Sequence, residues 1–394
     1  MLQWGMRSCH DAGGQGNGQT VGDRLRGVRV LDLTRLVPGP WATLLLARRG
    51  AEVIKVEEPP SGDPLRYAQL GDSGGLNPLF RLLNRGTKSI SLNLRDPRGR
   101  AILLGLVGEA DILVEGFRPG VMDRLGLGYG ELHSRNRRLF YASLSGYGQT
   151  GPHAARAGHD LNYLAVGGLL ALLGSSAGVP VIPAVPLADV MAGLHAAFEI
   201  TAALLAVHGT GQGAHLDLAI LDSVVASLAV PLADWLANGH RTQPGQTLLS
   251  GALAGYRLYS TADGGHMALA ALESKFWSAF CTAVGHPEWE PRQYAPDQPQ
   301  LAAELAALFA SQPMAHWQKL LENCDCCCEP VSTLEGLRQQ PQVAHRALLS
   351  DFQGRSGEEA ASKAPRCGQD SAQLLAALGY SDADVEHLRH EGVV

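Results

Sequence analysis

Two periods alternate along the first half of the chain. Val28 to Leu33 is a short apolar run that reads as a strand, and Pro38, Gly39 and Pro40 follow it as breakers. A helix is expected from about Trp41 to Arg49, stopped by Gly50, and Glu52 to Val56 reads as a second strand. Such a β-α-β unit implies parallel strands joined by a right-handed crossover. Ser89 to Leu94, Ile112 to Val114 and Leu139 to Leu144 repeat the strand signal, with a helical pattern from Arg98 to Ala110. Strands alternating with helices predict an α/β fold with a Rossmann-like open parallel sheet.

The second half changes character. Asp189 to His208 is one long helical pattern, with Asp189 placed as its N-cap and Gly209 as its stop. Leu216 to Ile220 returns as a strand, and Asp222 to Asn238 reads as a helix. Tyr256 to Tyr259 and His266 to Leu269 then flank Gly264-Gly265 as a β-hairpin with a two-glycine turn. Helices follow at Lys275 to Val284, Pro299 to Ser311, Ala315 to Asn323, Ala372 to Leu378 and Ser381 to Glu391. The pattern predicts a large domain over residues 25–225, completed by residues 340–394, and a smaller α+β domain over 226–339. Residues 1–24, rich in Gly, are expected to be a disordered leader. Gly13, Gly14, Gly16 and Gly18 follow no strand and so make no phosphate loop.

Composition narrows the classes. At 394 residues two domains are expected. A net charge of −6 argues against general nucleic-acid binding, which needs surplus Lys and Arg. Leu161 to Ala188 is sparsely charged, but Gly167, Gly168, Pro180, Pro183 and Pro186 interrupt it, so no membrane span is expected. Four of the cysteines fall in Cys324-Asp325-Cys326-Cys327-Cys328, where neighbours cannot readily converge on one tetrahedral ion. A half-buried turn before Pro330 is expected there, and no metal. Reduced thiols without an export signal suggest the cytoplasm.

Candidate chemistry gathers in two places. Arg81, Arg85, Lys88, Arg95, Arg98 and Arg100 face only Asp96 between residues 81 and 100, and Arg118 and Arg124 follow. On loops around a sheet, guanidinium forks suit the pyrophosphate and 3′-phosphate of coenzyme A; a solvated helix face laced with salt bridges accounts for the same residues. No Walker loop points to ATP. His159 lies between Gly158 and Asp160 at an element boundary, where an imidazole can serve as base and acid in alternate half-cycles. Asp189 reads as a plain N-cap and as a functional acid, two compatible roles, with first-turn donors from Val190 to Ala192 available to a developing enolate oxygen. Glu273 opens a helix and has the bland reading of a first-turn acid.

These residues lie within a longer series of motifs. They include Gly27-Val28-Arg29-Val30-Leu31-Asp32-Leu33 with Pro38-Gly39-Pro40, and Gly50-Ala51-Glu52-Val53-Ile54-Lys55-Val56-Glu57. Glu115-Gly116-Phe117-Arg118-Pro119-Gly120, Gly146-Tyr147-Gly148-Gln149-Thr150-Gly151-Pro152 and Leu378-Gly379-Tyr380-Ser381 continue it. From about Leu25 onward the chain resembles the class III CoA-transferase (CaiB/BaiF) family, and within it the α-methylacyl-CoA racemase branch.

The resemblance implies an interlocked homodimer acting on an acyl-CoA substrate, with no cofactor beyond its coenzyme A moiety. His159 and Asp189 would be the proton-transfer pair, with Glu273 supporting His159. CoA contacts would come from Lys88, Leu92, Asn93, Leu94, Arg95, Gly116, Phe117, Arg118, Pro119, Gly120 and Arg124. Leu144, Ser145, Gly158, Asp160, Leu161, Asn162 and Tyr163 would complete them, with Arg85 from the basic set. Glu58 stands where racemases tend to carry an Arg for the nucleotide, which makes Arg66 a candidate substitute. The alternative within the family is CoA transfer between carboxylic acids, with Asp189 as nucleophile and carrier of an aspartyl-CoA thioester. Glu57-Glu58-Pro59-Pro60 and the tail from Leu378 to Val394 look more like that branch.

Overall fold

The computed structural model describes residues 24–68, 76–174, 179–239, 243–349 and 363–394. The leader expected over residues 1–24 lies, but for its last residue, outside them. Six strands, β1 (Arg29–Leu33), β2 (Glu52–Glu57), β3 (Lys88–Ser91), β4 (Ile112–Glu115), β5 (Phe140–Ser145) and β6 (His215–Ala219), make one sheet in the order β3-β2-β1-β4-β5-β6. Every neighbouring pair is parallel. The central strands read as near-continuous apolar runs because both faces are covered. On one face Leu31, Ile54, Ile90 and Leu113 meet Ile102 and Leu106 of α3 (Pro97–Val107). Two C-terminal helices, Ser371–Ala377 and Asp382–His390, close that same face. On the other, Val30, Val53, Ile112 and Val114 meet α1 (Pro38–Ala47) and a 24-residue helix, Leu187–Thr210.

Three helix boundaries differ from expectation for clear reasons. Pro38 and Pro40 do not precede α1 but form its first turn, where a missing N–H leaves no helical bond unmade. Helix α2 (Pro78–Leu83) starts the same way, capped by Asn77. Between β4 and β5 lie α4 (Val121–Arg124) and α5 (Tyr129–Arg135), and α6 (Asp160–Val166) follows β5. The long helix is α7, and Asp189 is not its N-cap. Val190 N–H already donates to Pro186 O (3.0 Å), which puts the cap at Pro186 and Asp189 inside the first turn. The expected helix from Asp222 to Asn238 is two, α8 (Ile220–Ser227) and α9 (Ala229–Asn238), bent by 63°. Pro231, without an N–H and crowding the carbonyl four residues back, accounts for the break.

Residues Leu187–Ala206 of α7 are long and apolar enough to cross a membrane by length and composition. Here Ala188, Ala192, Ala196 and Ile200 are buried on the large sheet, while Leu194, Phe198 and Leu205 stay exposed. A second sheet, β7 (Tyr256–Ser260), β8 (His266–Ala270) and β9 (Cys328–Pro330), is antiparallel. Its hairpin loop is not a two-glycine turn. Ser260 pairs with His266, so the loop spans Thr261 to Gly265 and closes through Thr261 N–H to Gly265 O (2.9 Å). Helices α10 (Ser274–Ala283), α11 (Gln298–Ala310) and α12 (Met314–Leu321) pack on this sheet around Trp277, Phe280 and Phe309. The cysteine run forms the half-buried turn that enters β9, with Cys326 and Cys328 in that core.

Candidate active site

In a sheet of this order, strands are added to one side of β1 up to β3 and to the other from β4 on, and a crevice opens beyond the carboxyl ends of β1 and β4 at that switch. The loop after β1 supplies one wall. It is fixed from beneath by Lys55, which is fully buried, donates to Thr34 O (3.0 Å) and pairs with Asp63 (3.1 Å). Asp32 accepts from Thr34 N–H (2.8 Å) and from the Thr43 hydroxyl (2.9 Å). Leu36 is held at φ 64°, a conformation bulky residues seldom adopt. At Gly39 a Cβ would lie 2.2 Å from the Thr34 side chain, so only glycine lets α1 start this close to the loop.

The loop after β4 supplies the second wall. Buried Glu115 accepts from Phe117 N–H (2.7 Å), aiming residues 116–119 into the crevice. Burial pushes its carboxyl up to about 7, against hydrogen bonds from Ser143 and Phe117 that favour the charge. Ser143 in turn meets His215 Nε2 at 2.9 Å.

Between these walls lies a cavity of about 460 Å³ lined by His159, Asp189, Asn162 and Tyr163. Gly116, Phe117, Arg118 and Pro119 line it from β4, Leu144 and Ser145 from β5, and Gly158 from the loop before α6. Tyr163 packs where a Cβ on Gly146 or Gly158 would collide with its ring, and its hydroxyl donates to Gly158 O (2.8 Å). Burial, then Tyr147 and Asp189, raise this phenol to about 12. His159 directly precedes α6, its N–H donating to Asn162 Oδ1 (3.0 Å). Burial, reinforced by Asp160, lifts the Asp189 carboxyl to about 7. Imidazole and carboxyl therefore share one cavity, and the carboxyl can be neutral or ionised near neutrality.

A second cavity of about 330 Å³ adjoins through Arg35 and Phe117, which line both. Leu92, Leu94, Arg95 and Arg124 line it, beside Glu58. Gly120 starts α4 at φ 77° and places Arg124 one turn on. Asn93 and Leu161 line neither cavity. Asn93 is occupied by Arg95 N–H (3.1 Å) and Val393 O (2.8 Å). Asp160 turns its carboxylate to Asp189 N–H (3.1 Å).

Three basic expectations are corrected. Arg66 is buried and grips Glu57 with two nitrogens (2.8 and 2.6 Å) and Pro365 O with a third (3.0 Å), its guanidinium 4.1 Å from the Phe80 ring centroid. It is structural, with all three of its nitrogens bonded within the fold, and it lines neither cavity. Lys88 begins β3 and pairs with Glu52 (2.6 Å), at the amino edge of a parallel sheet whose crevice is at the other edge. Arg85 precedes Lys88 on that same side and lines neither cavity. The enolate donors expected from Val190 to Ala192 are also spent, because Val190 bonds Pro186 and the next two lie past the helix's open first turn. Among the described residues the N–H groups of Asp160 and Leu161 are the unengaged ones at the start of α6. Glu273, exposed at the start of α10, lines neither cavity in the single chain. Arg35 and Arg156 line the larger cavity without having been expected. Arg35 was open to inference, since the first loop after β1 borders the crevice in every sheet of this order.

Residues 25–375 match CoA-transferase family III. The chain is similar to mouse succinyl-CoA:glutarate CoA-transferase, 32% identical over 94% of this chain and 90% of that protein. It is similar to human alpha-methylacyl-CoA racemase to the same degree, 32% over 94% and 97%. A CAIB/BAIF family protein from Brucella suis has the same fold, with a TM-score of 0.78 and 29% identity over 91% of this chain and all of that one. A matched family, shared architecture and a crevice built from its motifs agree: the chain belongs to CoA-transferase family III and is an enzyme of that family.

Proposed function

We propose that this enzyme racemises 2-methylacyl-CoA thioesters at the α-carbon. The observation that carries the reading is His159 and Asp189 lining one cavity, with Asp189 brought to about 7 by burial and Asp160. One group removes the α-proton as the C–H electron pair moves onto the thioester oxygen. The other then delivers a proton to the opposite face as the carbonyl reforms. A base titrating near the working pH suits both half-reactions. Arg35, Arg95 and Arg124 around the adjoining cavity suit the nucleotide phosphates. No cofactor beyond the CoA of the substrate is needed.

The reading includes a homodimer whose partner brings its Glu273 to His159. It is supported by the exposed apolar residues Leu194, Phe198, Trp235 and Leu236 along α7 and α9.

CoA transfer through Asp189 is the second reading, favoured by the similarity to transferases that act on glutarate and oxalate. In it the carboxylate attacks the acyl carbonyl and CoA thiolate leaves; the thiolate then takes the aspartyl carbonyl and frees the acid. Incubation with a chiral 2-methylacyl-CoA in deuterated water separates the two. Deuterium at C2 with loss of chirality supports racemisation. CoA exchange only when a second carboxylic acid is added supports transfer and overturns the first reading.

A further inference from the structure

Asp160 directly follows His159 as the first residue of α6. Its Oδ1 accepts the N–H of Asp189 at 3.1 Å, joining the beginnings of two helices 29 residues apart in the chain. Helix α7 has no acceptor of its own for that donor, because its cap position is Pro186, which lacks a side-chain oxygen. Asp160 therefore supplies from α6 the capping bond that α7 lacks. Its carboxylate has no cationic partner among the described residues, and it acts electrostatically on the neighbouring Asp189.

We propose that Asp160 is a positioning residue, not a coenzyme A contact, and that its bond to the Asp189 N–H fixes His159 and Asp189 across the cavity. The inference rests on the proton-transfer reading of those two residues. Moving either helix start by about 1 Å is enough to cost roughly 10²-fold in rate when proton donor and acceptor must face one carbon. The same carboxylate opposes ionisation of Asp189, adding to burial, so one side chain sets both the placement and the protonation of its neighbour.

Two variants of the full chain test this. Asp160→Asn keeps an oxygen that can accept the N–H and loses the charge; Asp160→Ala loses both. Asp189 is followed by carbon-13 NMR titration of labelled aspartate, assigned with Asp189→Asn, and C2 deuterium exchange is followed against pH. Both variants should move the Asp189 titration to lower pH. Asp160→Ala should lower kcat for exchange by about 10²-fold with KM little changed, and Asp160→Asn should lose less. An unmoved titration in the Asn variant, or an Asp160→Ala effect confined to KM, overturns the proposal. If Asp160→Ala does not fold, the Asn titration decides. Absence of exchange in the wild type defeats the proton-transfer reading instead, and the titration still reports on the charge that Asp160 sets beside Asp189.

Discussion

At Asp189 the native fold holds a proton more tightly than the unfolded chain does, with its carboxyl at about 7 against an ordinary value near 3.8. Between those values the native state binds more protons than the unfolded one, so this group's contribution to stability falls as pH rises. Asp189→Asn removes that loss. Thermal unfolding should show the variant more stable than wild type above pH 7, with the gain vanishing near pH 4, while exchange at C2 is abolished. Equal melting temperatures at pH 8 would contradict the buried, uncompensated charge. Glu115 has the same sign, so a residual slope should persist in the variant. His159→Ala should reduce α-proton exchange by about 10²-fold or more with CoA binding retained; undiminished exchange removes His159 from its role.

Among the elements, Arg66 separates a structural cation from a binding one. Burial alone pushes Glu57 up, but the bonds from Arg66, Asp63 N–H and Ser89 outweigh it and hold the carboxyl below its usual range. Breaking a buried pair leaves an unpaired charge, so Arg66→Met should cost about 3–5 kcal/mol, read by denaturant unfolding, with CoA affinity of the folded protein unchanged. Weakened CoA affinity at unchanged stability would return Arg66 to the nucleotide. Nothing in the string around Arg66 betrays this, because Glu57, Phe80 and Pro365 come from three separate segments. Strand positions such as Val28 to Leu33 were legible because an apolar run in a parallel sheet needs no partner to be recognised. Lys88 was misread for the opposite reason: its charge is plain in the sequence, but the edge of the sheet it stands on is not. His159 and Asp189 were legible as residue types at helix starts. That Asp160 ties them together needed coordinates.

For the whole molecule, the proposed dimer makes its own demand on Glu273. If a partner supplies that carboxylate, His159→Ala and Glu273→Ala damage different halves of one composite site. Co-expressed, the two inactive variants should recover part of the wild-type exchange, because one site of each mixed dimer is intact. No recovery from a mixed dimer verified by mass would place His159 and Glu273 in separate functions. The large sheet has a different long-range dependence. Leu374, Leu375, Val385, Leu388, Val393 and Val394 lie in the same core as Leu31, Ile54 and Leu113, and Ser89 N–H reaches Asp370 Oδ2 at 2.8 Å. Burying six such side chains contributes on the order of 10 kcal/mol, comparable to the net stability of a typical domain. During synthesis, then, a nascent chain halted before residue 370 presents a sheet with one oily face covered only in part, by α3. It must wait, or be shielded by a chaperone, until the last two helices leave the ribosome.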